Sequence, residues 1–254
     1  MSRVAGLSAL VVAHDEAAQL ADCLERLGFA GELVVVLDRC TDGSAEIARR
    51  FTERIIEGGW EREGDRRNTG IAACSGPWVL EVDADERVTP DLAAEIAQVV
   101  ARSDADIHDL PVDNFIGRRR VRWGWGASFG KSAHAGLFRK GAKRWGPGRV
   151  HPPLAFTGRR GAPLVHRIEH HVDRNLSDML QRLDRYTSAR ARDLRESGEI
   201  GSYGRNIRRI FSRFWKCYVT RRGYREGPYG FMIALCAGLY PILSYLKARL
   251  DEEP

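Results

Sequence analysis

The strongest constraint on this chain is a repeated arrangement in which short apolar, largely β-branched runs end at carboxylates and alternate with stretches of helical periodicity. "LVVAHDE" closes the first run at Asp15, "ELVVVLD" the second at Asp38, and "WVLEVDADE" a later one at Asp83. A run such as "VVVL" has no polar alternation, so it reads as a strand buried on both faces inside a parallel sheet. Between the first two runs, Leu20, Cys23, Leu24 and Leu27 recur at three- and four-residue steps, and after the second "AEIARRF" begins a helix near Asp42 or Ser44. Ile55 and Ile56 form a third apolar pair, followed by the polar loop "EGGWEREGDRRN" and the short helix "TGIAACS". This alternation predicts an α/β fold with a doubly wound, Rossmann-like, mostly parallel sheet and helices on both faces. The binding crevice of such a sheet lies beyond the C-terminal ends of its strands, where Asp15, Asp38 and Asp83 fall.

Asp83 and Asp85 stand two residues apart, so in an extended segment they point the same way and face one ion together. Oxygen ligands suit Mg²⁺ or Mn²⁺, ions that complete their shells with water and substrate phosphates, which makes a metal-bound diphosphate the natural partner. The formal charge of +6 over 254 residues favours anionic partners without choosing among them. The five cysteines are scattered, with no CxxC pair, which indicates neither a disulfide framework nor a zinc site and suggests a reducing compartment. The opening "MSRVAGLSALVVAHDE" reads as a first strand rather than a signal peptide.

In order, "LVVAHDE", "VVVLDRCTDGSAEIA", "RRNTGIAACSGPWVLEVDADE" and "GLFRKGAKRW…RVHPPL" resemble the family 2 glycosyltransferases of the GT-A fold, and within them the lipopolysaccharide core glucosyltransferase-like branch. The resemblance spans roughly residues 7 to 190. It implies an enzyme that moves a sugar, with inversion, from a nucleotide donor, usually UDP-linked, to a lipid-linked or lipopolysaccharide-core acceptor. On that resemblance Asp38 contacts the uracil, and Ala13, His14, Asp15 and Glu16 frame the pocket, Asp15 standing where the family usually has Asn. Arg67 and Asn68 match a polar pair near the donor, Arg67 countering diphosphate charge. Asp83, Ala84 and Asp85 match the D-x-D motif, with Asp85 the direct metal ligand and Glu86 an orienting residue or a cap. The domains implied are a GT-A catalytic domain over residues 1–174 and a C-terminal helical, membrane-associating region over 175–254.

Two departures affect the chemistry. "KSAHAGLF" lacks the acid and the arginine of the family's P-D-x-x-x-R-L-F segment, and Val150, His151, Pro152 replace V-H-E. An inverting transfer still needs a group to take the acceptor hydroxyl's proton, and Asp113, His134 and His151 are the candidates. His151, His170 or His171 can instead complete the metal shell, and His171 is grouped here with Asp83 and Asp85. Without catalysis, the same fold reads as a membrane-associated scaffold. A nucleotidyltransferase is the other alternative, but "AHDEAAQL" lacks the glycine-rich basic loop that such an enzyme places after its first strand.

"FIGRRRVRWGWGASFGKS" joins a basic run, Arg118 to Arg122, with Trp123, Trp125 and Phe129, and reads as an acceptor-side loop, with nucleic-acid binding or plain packing as the competing readings. Further on, Leu176, Met179, Leu180, Leu183, Tyr186 and Thr187 share one helical face. Tyr203, Ile207, Ile210, Phe211, Phe214, Trp215 and Tyr218 follow helical spacing among arginines, and no acid occurs from Gly201 to Arg225. A basic amphipathic helix of this kind suits an anionic lipid surface, which points to the cytoplasmic face of the bacterial inner membrane. The uncharged stretch from Gly227 to Leu246 is expected to be a re-entrant, in-plane or docked helix rather than a crossing.

Overall fold

The computed structural model describes residues 3–126, 129–150 and 152–251. The expected alternation forms as β1 (Val4–Ala13), α1 (Ala17–Glu25), β2 (Ala30–Asp38), α2 (Ser44–Arg49), β3 (Ile55–Gly58), α3 (Glu63–Ala73) and β4 (Trp78–Asp83). There follow β5 (Glu86–Arg87), α4 (Pro90–Arg102), β6 (Ile107–Ile116), β7 (Arg119–Val121), β8 (Ala133–Arg139), β9 (Lys143–Trp145), β10 (Leu154–Phe156) and β11 (Ile168–Asp173). Three longer helices follow, α5 (Leu176–Ser197), α6 (Tyr203–Trp215) and α7 (Pro228–Leu250), with a π-helical turn (Lys216–Thr220) and a 3-10 turn (Gly223–Glu226) between the last two. The residues group into two compact units. The first holds the described residues of Met1–Val112, Ala133–Gly148 and Pro152–His170, and the second those of Asp113–Ser132, Arg149–His151 and His171–Pro254.

In the first unit the strand order is β3-β2-β1-β4-β8-β6. The four strands from β3 to β4 are parallel, while β8 and β6 extend the sheet in antiparallel fashion. The chain moves outward from β1 through β2 to β3 and then returns to place β4 on the other side of β1, which makes the β1/β4 boundary a topological switch point. Register brings the strand ends level: Ala13 pairs with Leu37, Val12 with Asp83, and Asp38 with Gly58. The alternation of β1 supplies two cores. Leu7, Ala9 and Val11 pack with Leu20, Leu24, Leu92 and Ile96 of α1 and α4, whereas Leu10 and Val12 pack with Ile71 of α3. Gly70 lets α3 lie close on the sheet, since a Cβ there would stand 2.5 Å from Leu10 Cδ1. That approach carries Arg66 and Arg67, one turn earlier on α3, to the strand ends.

In the second unit, β6 and β7 form a hairpin in which Ile116 faces Arg119, turned by Gly117 at φ 57° and Arg118. Helices α5 and α6 both pack on α7. Gly230, Ile233, Ala234, Cys236, Ala237, Gly238, Tyr240, Pro241, Ile242, Ser244 and Ala248 are all buried, so α7 is covered around more than half of its circumference. At Gly238 a Cβ would lie 2.8 Å from the Ile210 carbonyl oxygen, so the α6 backbone sits directly on the glycine. By length and composition α7 is able to cross a membrane, yet 56% of its most apolar window is buried within the structure, as in a docked helix.

The basic and aromatic segment differs from its acceptor-loop expectation. Trp125 and Phe129 are 4% and 0% exposed and belong to the core with Met179, Leu183, Ile233 and Tyr240. The Trp125 indole N–H donates to the Val121 carbonyl at 2.7 Å, so neither ring offers a stacking platform. On α5, Met179, Leu183 and Thr187 face the core, whereas Leu176 and Leu180 are about half exposed.

Candidate active site

The residues after β1 are fastened to the loop after β2. His14 Nδ1 lies 2.5 Å from the Asp38 carbonyl oxygen. Asp15 sits at φ 54°, in the left-handed region that Asp and Asn tolerate better than other side chains. Its Oδ1 accepts from the Thr41 and Asp42 backbone N–H groups at 2.6 and 3.3 Å. The Thr41 bond is the main reason its carboxyl lies below the ordinary range. Both backbone donors converge on Oδ1, and the Thr41 hydroxyl lies 3.3 Å from each carboxylate oxygen. Glu16 N–H donates to Ser44 Oγ at 3.0 Å, and Ala17 N–H to Asp42 at 2.9 Å.

Asp38 is buried and its carboxylate is fully engaged. Oδ1 accepts from Arg39 Nε and from the Trp60 N–H, both at 3.0 Å, and Oδ2 accepts from Arg66 at 3.0 Å and from Arg39 Nη2 at 3.3 Å. Four donors fill a carboxylate's lone-pair sites. Arg39 is the exposed member of this set, with 56% of its side chain open to solvent, whereas Arg66 is at 18% and keeps a buried Nε with no hydrogen-bond partner among the described residues.

Residues 79, 81 and 83 of β4 share the face that α3 covers, and this alternation builds a buried charge network. Arg67 donates at 2.8 Å to each of Glu63, Glu81 and Asp83, and its guanidinium lies 4.9 Å from the Trp145 ring centroid. Glu81 also receives Lys143 Nζ at 2.7 Å. Burial opposes ionisation of Glu81, but Lys143 and then Arg67 outweigh it and bring its pKa down to about 2. Burial likewise works against the charge on Arg67, and Asp83, Glu63 and Glu81 overcome it. Three carboxylates meet two cations here, leaving negative charge at the Asp83 end. Asn68 is committed to β9: its Nδ2 donates to the Trp145 carbonyl at 2.8 Å and its Oδ1 accepts the Trp145 N–H at 3.0 Å.

The turn at Asp83, Ala84 and Asp85 is braced from below. Glu86, fully buried, accepts the Asp83 N–H at 2.9 Å. Arg87 donates at 2.9 Å to the Ala84 carbonyl and at 3.0 Å to that of Gln19 in α1. Asp83 and Asp85 each remain a quarter exposed. Through antiparallel pairing, β11 sets His170 opposite Glu86, and His170 Nε2 lies 3.2 Å from Asp85 Oδ2. His171, the expected metal ligand, projects to the other side of the strand and stacks on Phe115, with ring centroids 5.1 Å apart. His134 Nδ1 stands 3.8 Å from Glu86 Oε1, Asp113 pairs with Arg120 at 3.2 Å, and His151 lies outside the described residues.

The residues thus gathered in the first unit are Ala13 to Glu16, Asp38, Arg67, Asn68, Asp83 to Asp85, His134 and His170, the last expected only as an alternative to His171, together with Arg66, Glu81 and Lys143, which sequence reasoning did not assign to the site. Glu81 carried a legible signal, since a carboxylate inside an apolar strand must find a buried cation. Asp83 and Asp85 offer carboxylate oxygens, the ligand type that suits Mg²⁺ or Mn²⁺, and His170 reaches Asp85 from β11.

Residues 8–160 match the sequence profile described as Glycosyl transferase family 2. The chain is 24% identical over 250 residues to the lipopolysaccharide core biosynthesis glycosyltransferase LpsC of Rhizobium meliloti (strain 1021), covering 95% of this chain and 91% of LpsC. An uncharacterized glycosyltransferase of Rickettsia felis is 27% identical over 101 residues, 39% of this chain and 36% of its own length. Among solved structures, S. aureus TarS 1-349 superposes with a TM-score of 0.47 at 13% identity, covering 76% of this chain and 66% of that one.

Proposed function

The chain belongs to glycosyl transferase family 2, and from that premise we propose that it is an inverting, metal-assisted enzyme carrying a sugar from a UDP donor to a lipopolysaccharide-core or other lipid-linked acceptor. The observation that carries the donor half is the braced Asp83 to Asp85 turn at the sheet's switch point, level with Asp38. The acceptor half draws on the similarity, over 95% of the chain, to a relative named for lipopolysaccharide core biosynthesis.

In this reading Ala13 to Glu16 wall the base pocket, and the uracil N3–H reaches Asp38 by taking the place of the exposed Arg39. Arg66 offers its remaining Nε–H to a donor oxygen. Arg67 steadies Asp83, and Asp83, Asp85 and His170 are the residues that would hold a divalent cation. When bound, that cation neutralises charge on the departing nucleoside diphosphate. Asn68 keeps Trp145 and β9 in place against α3. The acceptor's proton passes to a general base. His134 and Asp113 are the described candidates, and the pH profiles of His134→Gln and Asp113→Asn distinguish them.

The exposed Phe211 and Trp215 of α6, interspersed with exposed Arg205, Arg208 and Arg209, suit the anionic cytoplasmic face of the inner membrane, where a lipid-linked acceptor is reached. Incubation with UDP-sugars and a truncated-core lipopolysaccharide is expected to add one hexose mass to the acceptor. Transfer only from GDP- or ADP-linked sugars would overturn the UDP assignment, and no transfer from any donor would overturn the acceptor.

A further inference from the structure

The second unit contains a cavity of about 620 Å³ that the transfer reaction does not use. Its volume falls within the range of small-molecule sites, roughly 300–1,000 Å³. The floor is apolar and adaptable, built from Met179 of α5 and Met232 of α7 with the Tyr229 ring beside them. The rim is cationic. The two-residue turn between β6 and β7 sets Arg118 and Arg119 at the mouth, and Arg174 joins them from the residues before α5.

The rim charges are arranged to face outward. Arg118 is exposed and forms no salt bridge among the described residues. Arg119 lies 4.8 Å over the Tyr229 ring and 3.6 Å from Glu226, yet half its side chain is exposed while that of Glu226 is 9% exposed. Glu226 is in addition committed to the backbone N–H groups of Arg122 and Trp123 at 2.7 and 3.0 Å. Arg174 pairs with Asp178 at 2.6 Å, and its side chain is 80% exposed against 19% for the acid. The acids orient the guanidinium groups from beneath and leave the mouth net positive.

The helix that supplies Tyr229 and Met232 also carries Phe231, which is 45% exposed and contacts Phe214 and Tyr218 at ring-centroid distances of 5.6 and 6.1 Å. The same α6 surface continues to Phe211 and Trp215.

We propose that this cavity is a binding site for one anionic membrane phospholipid, its phosphate held by Arg118, Arg119 and Arg174 and an acyl chain laid along Met179, Met232 and Tyr229. The charge of the rim selects a phosphate, and the apolar floor beneath it selects a tail, which favours a lipid over a free phosphate. The inference rests on the membrane association proposed above and adds a single, saturable site to it.

The test is titration of the full chain with dioctanoyl phosphatidylglycerol below its aggregation concentration, with flotation on phosphatidylglycerol vesicles measured in parallel. One lipid is expected to bind per chain, inorganic phosphate and dioctanoyl phosphatidylcholine far more weakly. Arg118→Gln, which touches no core residue, should lose roughly five-fold in affinity, and the double variant with Arg119→Gln roughly 25-fold. Met232→Trp, filling the floor, should block the short-chain lipid. A wild type that floats with vesicles yet binds no short-chain lipid, or variants that bind it as the wild type does, would overturn the site and leave membrane association standing. A wild type that neither floats nor binds would overturn both.

Discussion

In the first unit one set of ionised side chains, around Arg67, is buried and matched. Glu81 and Lys143 are 2% and 4% exposed, and Arg67 is divided among three carboxylates. The second unit buries a pair of its own, Arg182 with Asp173, but differs at its surface: of the eleven large hydrophobic side chains exposed among the described residues, nine belong to it, including Phe211 at 70% and Trp215 at 63%, and α6 arginines face solvent beside them. A buried charge network holds a few atoms still and loses heavily when one partner is removed. An exposed basic and aromatic face adds little to folding and gains its free energy only against a second phase. The contrast teaches that the two units should fail in different assays.

The largest effect is expected from Arg67→Ala, which leaves Glu81 and Asp83 short of a buried cation. It should cost about 3–5 kcal/mol and lower Tm by about 10 °C for a chain of this size, with vesicle binding by the protein that remains folded unchanged. A thermal melt within 2 °C of wild type would dissolve the contrast.

Next comes acid. The Glu81 carboxyl titrates at about 2 when folded against 4.5 when free. Its depressed pKa means that its contribution is complete above pH about 4.5 and is lost as pH falls toward about 2, a change of about 3 kcal/mol. Unfolding free energy followed from pH 5 to 2 should drop steeply in the wild type and less so in Glu81→Gln.

Smaller in stability, and specific to the second unit, Phe211→Ser with Trp215→Ser should leave the melt within about 0.5 kcal/mol. Vesicle partitioning should weaken by about 2 kcal/mol, a fraction of full side-chain burial. Smallest of all, Arg208→Gln should reduce binding to phosphatidylglycerol vesicles about five-fold, an effect that salt removes. Equal loss on neutral vesicles would show that charge is not the cause.

Much of the first unit was legible because burial on both faces of a parallel sheet leaves an unbroken β-branched run and forces the first polar residue to its end, so "VVVLD" and "WVLEVD" announce both strand and site. Phase was the less legible property. In "EHHVD" adjacent histidines point to opposite sides of a strand, and only the pairing of His170 with Glu86 decides which one meets Asp85. The reach of Lys143 to Glu81 across 62 positions leaves no local trace. Trp125 and Phe129 misled because a core built between a hairpin and helices shows no single periodicity. Docking of α7 had a trace in Gly230, Ala234 and Gly238, small residues at four-residue steps that admit another backbone.

The central claim is that the turn from Asp83 to Asp85, with His170, holds a cation and through it a uridine diphosphate. Calorimetric titration of the protein with UDP, GDP and ADP, each with and without Mn²⁺, tests it most directly, with Asp85→Ala as the paired variant. The account predicts UDP-selective binding that Mn²⁺ strengthens, and loss of that Mn²⁺ gain in Asp85→Ala. UDP affinity that is the same with and without Mn²⁺, or the same in the variant, would contradict it.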